Sequence, residues 1–78
     1  MFVKTQDNSI VNMDKVIFAQ VGKYLNRDMG TLNLQMEGYC MEAYRGTIEE
    51  AEDAFNTLTE GLIHGATLID YSKSDREW

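Results

Sequence analysis

An α+β fold is predicted: a four-stranded antiparallel sheet covered by one C-terminal helix, with a candidate short edge strand at the end. Three observations predict it. Residues 1–45 are β-prone runs separated by turn residues, and Thr31–Met36 alternates apolar and polar without a break. Residues 47–64 open with a helix start signal and carry an apolar repeat at helical spacing. Strands followed by a helix, rather than strands and helices in alternation, is an α+β order. At 78 residues the chain forms a single domain.

Phe2 to Gln6 reads as the first short strand. Asp7-Asn8-Ser9 has turn chemistry, because Asn and Asp tolerate left-handed backbone and hydrogen-bond their own main chain. Ile10 and Val11 resume the strand. Asn12-Met13-Asp14-Lys15 interrupts it as a single helical turn capped by Asn12. Val16 to Gly22 is the strongest strand signal, rich in β-formers and apolar on both faces, so it is expected to be central. Asn26 to Gly30 is a loop in which Gly30 is able to supply a positive φ.

In the next strand Leu32, Leu34 and Met36 face a core, while Thr31, Asn33 and Gln35 face water. Glu37-Gly38 turns the chain. Tyr39 to Arg45 follows, with Tyr39, Met41 and Ala43 on one face and Cys40, Glu42 and Tyr44 on the other. Thr47-Ile48-Glu49-Glu50 is a capping box, and the acids of the first two turns suit the positive end of the helix dipole. Ile48, Ala51, Phe55, Leu58 and Leu62 recur at steps of three and four, which predicts one apolar stripe. Gly65 is the expected stop after His64. Residues 66–71 contain a short β-prone segment, Leu68 to Tyr71, and residues 72–78 form a polar tail with Trp78 as a candidate anchor. The expected core is Phe18, Leu32, Leu34, Met36, Phe55, Leu58 and Leu62.

The charge is segregated. Residues 1–45 contain five acids and five bases, whereas residues 46–78 contain eight acids and two bases, so the whole net charge of −6 belongs to the second part. No Lys or Arg occurs between Gly46 and Ser72. A fixed negative field at one end favours a positively charged partner and disfavours direct binding to nucleic acid. Cys40 is the only cysteine, so no internal disulfide forms. No apolar segment is long enough for a signal peptide or a bilayer span, which predicts a cytoplasmic protein with no membrane association.

The residue types for catalysis are sparse. His64 is the single histidine and is placed to cap the helix C-terminus rather than to act as a general base. Cys40 is expected to be a half-buried structural thiol, because no base or electropositive group is near it in sequence. One His and one Cys cannot build a zinc site, the acidic cluster lacks the pattern of a calcium loop, and no Gly-rich phosphate motif occurs. No cofactor, metal ligand or catalytic residue is therefore assigned, and the protein is read as a non-enzyme.

The functional candidate is an acidic ridge. At 100° per residue Glu49, Asp53, Asn56 and Glu60 fall opposite the apolar stripe, and Glu52 lies beside them. Glu49 and Asp53 sit one turn apart and repel by a few tenths of a kcal/mol. These five residues are the predicted partner-binding set. Set against this is a solvated face with no partner.

Two stretches carry a resemblance. Phe2 to Met13 followed by Val16 to Val21, and the junction Tyr44-Arg45-Gly46-Thr47-Ile48-Glu49-Glu50-Ala51, resemble small, mostly uncharacterised proteins of Gram-positive bacteria and their phages. The resemblance implies an antiparallel sheet covered by one helix and implies no catalytic residues. Small acidic phage proteins also include anti-CRISPR and other anti-defence inhibitors that bind host nucleases. No motif here identifies one of those families, but the segregated charge taken with the resemblance gives the functional expectation: a non-enzymatic phage or mobile-element inhibitor, a nucleic-acid mimic that occupies the basic surface of a CRISPR or other nuclease effector. The alternative is a self-associating accessory protein, a homodimer formed through exposed sheet edges, with no mimicry.

Overall fold

The computed structural model describes residues 1–73. Six strands and one α-helix follow in the order β1 (Phe2–Lys4), β2 (Ile10–Asn12), β3 (Val16–Tyr24), β4 (Met29–Met36), β5 (Tyr39–Thr47), α1 (Ile48–His64) and β6 (Leu68–Asp70). The fold is α+β, but the strands form two three-stranded sheets, β2-β1-β6 and β3-β4-β5, in place of the expected single four-stranded sheet. The proposed anchor Trp78 lies outside the described residues.

The split begins in the first hairpin. Thr5 N–H donates to the Ser9 carbonyl at 2.8 Å and Asn8 takes φ 67°, so the chain reverses at once and β1 pairs antiparallel with β2. Thr5 is fully buried; its hydroxyl donates to the Asp7 carboxylate and accepts from Ser9 N–H at 3.0 Å. Asn12 then caps a single 3-10 turn, Met13–Lys15, by accepting from Asp14 N–H at 3.0 Å. That turn redirects the chain into β3 and a different sheet. β6, the expected final edge strand, returns to the first sheet and lies parallel to β1, with Val3 opposite Ile69. Gln6 joins the sheets. Its side-chain amide stands in for a peptide unit on the edge of β5, accepting from Arg45 N–H at 2.7 Å and donating to the Arg45 carbonyl at 3.2 Å.

β4, not β3, is central in the second sheet. The expectation for β3 fails because its apolar residues on two faces belong to an edge strand with a bulge. Val16 pairs with Met36 and Phe18 with Gln35, so Ile17 is the extra residue. The bulge turns Phe18 to the outer face with Gln35, where it is 51% exposed, and leaves Val16, Ala19 and Val21 facing inward. A second bulge interrupts β5. Leu32 pairs with Tyr44 and Asn33 with Glu42, which makes Ala43 the extra residue and carries Tyr44 to the buried face. The strict face assignment expected for β5 therefore ends at Glu42.

Further corrections follow from this packing. The positive φ of the β3–β4 connection is at Asp28 (φ 51°), after a 3-10 turn at Leu25–Arg27, and not at Gly30. Gly30 serves close approach instead: a Cβ there would lie 2.8 Å from Ala51 Cβ and 3.0 Å from Ile48 Cα. Thr31 is buried rather than wet. It lies against Gly22 and opposite Arg45, whose guanidinium makes two 2.8 Å hydrogen bonds to Glu42 across the outer face. Cys40 is exposed, not half-buried.

The core holds Leu32, Leu34, Met36 and Leu58 as expected, and adds Val3, Val11, Ala43, Tyr44, Ala54 and Tyr71. The buried stripe of α1 is Ala51, Ala54, Leu58 and Gly61. It is rotated from the expected one because small residues let the helix lie close to the strands. Phe55 is half-buried at the margin, and Leu62 is 55% exposed.

Two outcomes follow. Leu34→Ala should cost about 3 kcal/mol in urea unfolding, whereas Leu62→Ala should cost about 1 kcal/mol or less, since only the first opens a core cavity. Similar losses for both would contradict the helix orientation. The second concerns acid. The Thr5 hydroxyl, the largest influence, holds the Asp7 carboxyl below its ordinary value of 3.8. A depressed folded pKa stabilises the protein above the unfolded value, and that contribution disappears as pH falls through the folded one. Thermal midpoints should therefore fall below about pH 4, and Asp7→Asn, which cannot ionise, should show a shallower fall. Parallel curves for parent and variant would remove Asp7 from the account.

Candidate functional site

β5 runs into α1 with no intervening loop, because Thr47 is both the last residue of the strand and the N-cap of the helix. Both bonds of the capping box are present. Glu50 N–H donates to Thr47 Oγ1 at 3.1 Å, and Thr47 N–H donates to Glu50 Oε1 at 2.8 Å. At the other end Gly65 adopts φ 72°, and Ala66 N–H donates to the Gly61 carbonyl at 2.8 Å. The helix is thus stopped at both ends as the sequence predicts. His64 is exposed in its last turn.

With Ala51, Ala54, Leu58 and Gly61 buried, the opposite side of α1 is turned outward. Glu49, Glu52, Asp53, Asn56 and Glu60 are all exposed, so the five predicted residues share one accessible side. Glu52 sits at its β3 flank, with Oε2 3.4 Å from Lys23 Nζ. Both groups are about half exposed, so this pair contributes well under 1 kcal/mol. Among the described residues, Glu49, Asp53 and Glu60 form no ion pair.

The structure extends the acidic face in a direction the sequence did not indicate. Between α1 and β6 lies an open hollow of about 430 Å³ lined by Tyr44, Glu50, Asp53, Thr57, Asp70 and Tyr71, among others. Asp53 belongs to both the ridge and the hollow. Asp70 accepts from Ser72 N–H at 2.9 Å and from Ser72 Oγ at 2.6 Å. Those bonds, above all the hydroxyl, hold its carboxyl below the usual range, with nearby Lys4 and Lys73 adding to the effect. Asp70 is therefore ionised at neutral pH. The Tyr71 and Tyr44 rings meet edge to face with centroids 5.7 Å apart, and Tyr71 Oη donates to the Ala54 carbonyl at 2.6 Å. Burial, with a smaller contribution from Tyr44, pushes the Tyr71 phenol well above its ordinary value, so it remains a donor at any physiological pH.

Carboxylates beside aromatic rings in an open hollow suit a lysine or arginine side chain. In the sequence Glu50 has a capping and helix-dipole role, and Asp70 belongs to a β-prone segment. The parallel β1–β6 pairing that brings Asp70 to the helix joins residues about 66 apart in sequence and leaves no local mark. Among the described residues no three His, Cys, Asp or Glu side chains gather in a metal-binding group, and no helix is long and apolar enough to cross a membrane.

No family model, curated protein or solved structure matches this chain.

Proposed function

We propose that this protein is a non-enzymatic protein-binding module whose charged contact surface is the outer face of α1. The observation that carries the reading is the continuity of Glu49, Asp53, Asn56 and Glu60 with the Asp53–Asp70 hollow, on a helix whose ends are both capped. No Lys or Arg between Gly46 and Ser72 interrupts this surface from within its own segment. Its carboxylates project from a capped helix, so docking orders side chains but little backbone. The partner surface is basic. In the most concrete version the protein is an inhibitor from a phage or mobile element, anti-CRISPR-like in action, that occupies the nucleic-acid-binding surface of a host nuclease complex. Support for that version comes from the segregated acidity and the resemblance to small phage proteins.

Affinity capture from a bacterial host lysate, run in parallel with parent and with the triple variant Glu49→Gln/Asp53→Gln/Glu60→Gln, tests the reading. The variant removes three charges without touching the buried stripe, and Gln matches Glu closely in helix propensity. A basic nuclease or nucleoprotein should be recovered by the parent and bound at least tenfold more weakly by the variant, about 1.4 kcal/mol. Binding by the parent should also weaken with salt, since exposed charges are screened beyond about 8 Å at physiological ionic strength. Equal affinity of parent and variant across a salt series would reduce the ridge to a solvated face.

A further inference from the structure

The two sheets have four edges, and three of them are short or covered. β2 and β6 are three-residue strands, too short to recruit another chain effectively. The edge of β5 is held by Gln6, whose main-chain N–H donates to the Ala43 carbonyl at 3.1 Å while its side chain bonds Arg45 on both sides. β3 differs. It is nine residues long and pairs with β4 along one side only. Alternate residues of an antiparallel strand direct their N–H and C=O groups to opposite sides, so β3 turns half of its backbone groups away from β4. Among the described residues, no backbone hydrogen bond outside the β3–β4 ladder reaches residues 17–23.

The side chains along this edge invite contact. Phe18 to Gly22 contains no charge, and Lys15 to Arg27 contains no acid, in a protein of net charge −6. Ile17 is 66% exposed and Phe18 51%. Both border an apolar groove of about 360 Å³ between β3 and α1, lined by Val16, Ala19, Phe55 and Leu62 among others. The bulge at Ile17 protects only one end of the edge, and the Lys23 side chain at the other end is drawn toward Glu52 on α1.

We propose that β3 pairs antiparallel with β3 of a second copy of this chain, fusing the two β3-β4-β5 sheets into one continuous six-stranded sheet. A two-fold axis normal to the sheet at the middle of β3 generates this arrangement and makes the contact self-complementary. The uncharged Phe18–Gly22 segment then faces itself, and no pair of like charges is brought together within it. Glu49, Asp53 and Glu60 lie on the outward side of α1, and Glu52, at the β3 flank, is paired with Lys23, so few unpaired acids of the helix stand near this edge. A nine-residue strand is about 30 Å long, and a contact band about 20 Å wide along it covers roughly 600 Å² per partner, the lower limit of a standard interface. The proposal goes beyond the acidic face and does not depend on it.

Light scattering across a micromolar-to-millimolar concentration series should show a species of twice the 8.9 kDa chain mass. Added salt should strengthen this association by screening net repulsion, the reverse of its expected effect on the acidic face. Ile17→Lys and Phe18→Lys, both at exposed positions, should retain the parent's circular dichroism and weaken the dimer at least tenfold. Ile10→Lys, equally exposed but on the other sheet, should leave it intact. Hydrogen exchange of the parent should slow at residues 18–22 as concentration rises. This measurement decides the matter by itself if either lysine variant misfolds. A chain that keeps monomer mass at the highest concentration overturns the proposal. So does a dimer in which β3 exchange is independent of concentration and both lysine variants associate like the parent.

Discussion

The junction between β5 and α1 is the constraint on which the remaining geometry depends. A strand that becomes a helix without a loop has no slack, so the direction of the last β5 peptide fixes the direction of the helix axis. Thr47 makes this workable by ending the ladder and capping the helix with the same residue. Gly46 is needed for a linked reason: a Cβ there would stand 2.8 Å from Glu50 Oε1 and 3.1 Å from the Tyr44 ring, and would displace the carboxylate that closes the capping box. Across the ladder from Gly46, Gly30 lets Ile48 and Ala51 settle onto β4. The helix therefore crosses the central strand at close range, and its glutamates are presented outward as a consequence.

What was legible in the sequence was local chemistry. The turn at Asn8, the cap at Asn12, the capping box at Thr47 and the stop at Gly65 are each decided by atoms within four residues of one another, and each is present. The exposure of Glu49, Glu52, Asp53, Asn56 and Glu60 was legible for the same reason, since helical periodicity alone opposes them to the core. Strand faces were not. A bulge adds one residue, and one residue reverses the face of everything on one side of it. Phe18 went outward and Tyr44 inward through single insertions at Ile17 and Ala43 that leave the apolar pattern of the sequence looking regular. The partition into two sheets was illegible because it rests on the parallel β1–β6 pairing, which brings the two ends of the described chain together.

The helix illustrates how packing distance overrides hydrophobic weight. By side-chain size the stripe should centre on Phe55, Leu58 and Leu62. The burial of Ala51, Ala54 and Gly61 instead shows that contact is closest where side chains are smallest, with Ile69 Cδ1 only 2.8 Å from where a Gly61 Cβ would stand. Larger residues are then displaced to the margins. Phe55 and Leu62 line the groove toward β3, and that groove meets the exposed Ile17 and Phe18.

Rotation of the helix thus divides the surface into two unlike parts. On the side toward β6 are Glu50, Asp53 and Asp70, with Asp70 held ionised by Ser72. Along β3 are uncharged backbone and apolar side chains, with Lys15 and Lys23 at its ends. Like-charged copies repel most weakly where acids are fewest, and a basic partner is attracted most strongly where acids are densest. The two proposed surfaces meet only at the Glu52–Lys23 pair on the β3 flank. Two copies joined through β3 would display two acidic helices on one rigid sheet, and a partner with two suitably spaced basic patches would then bind the pair more tightly than either helix alone, without any additional contact.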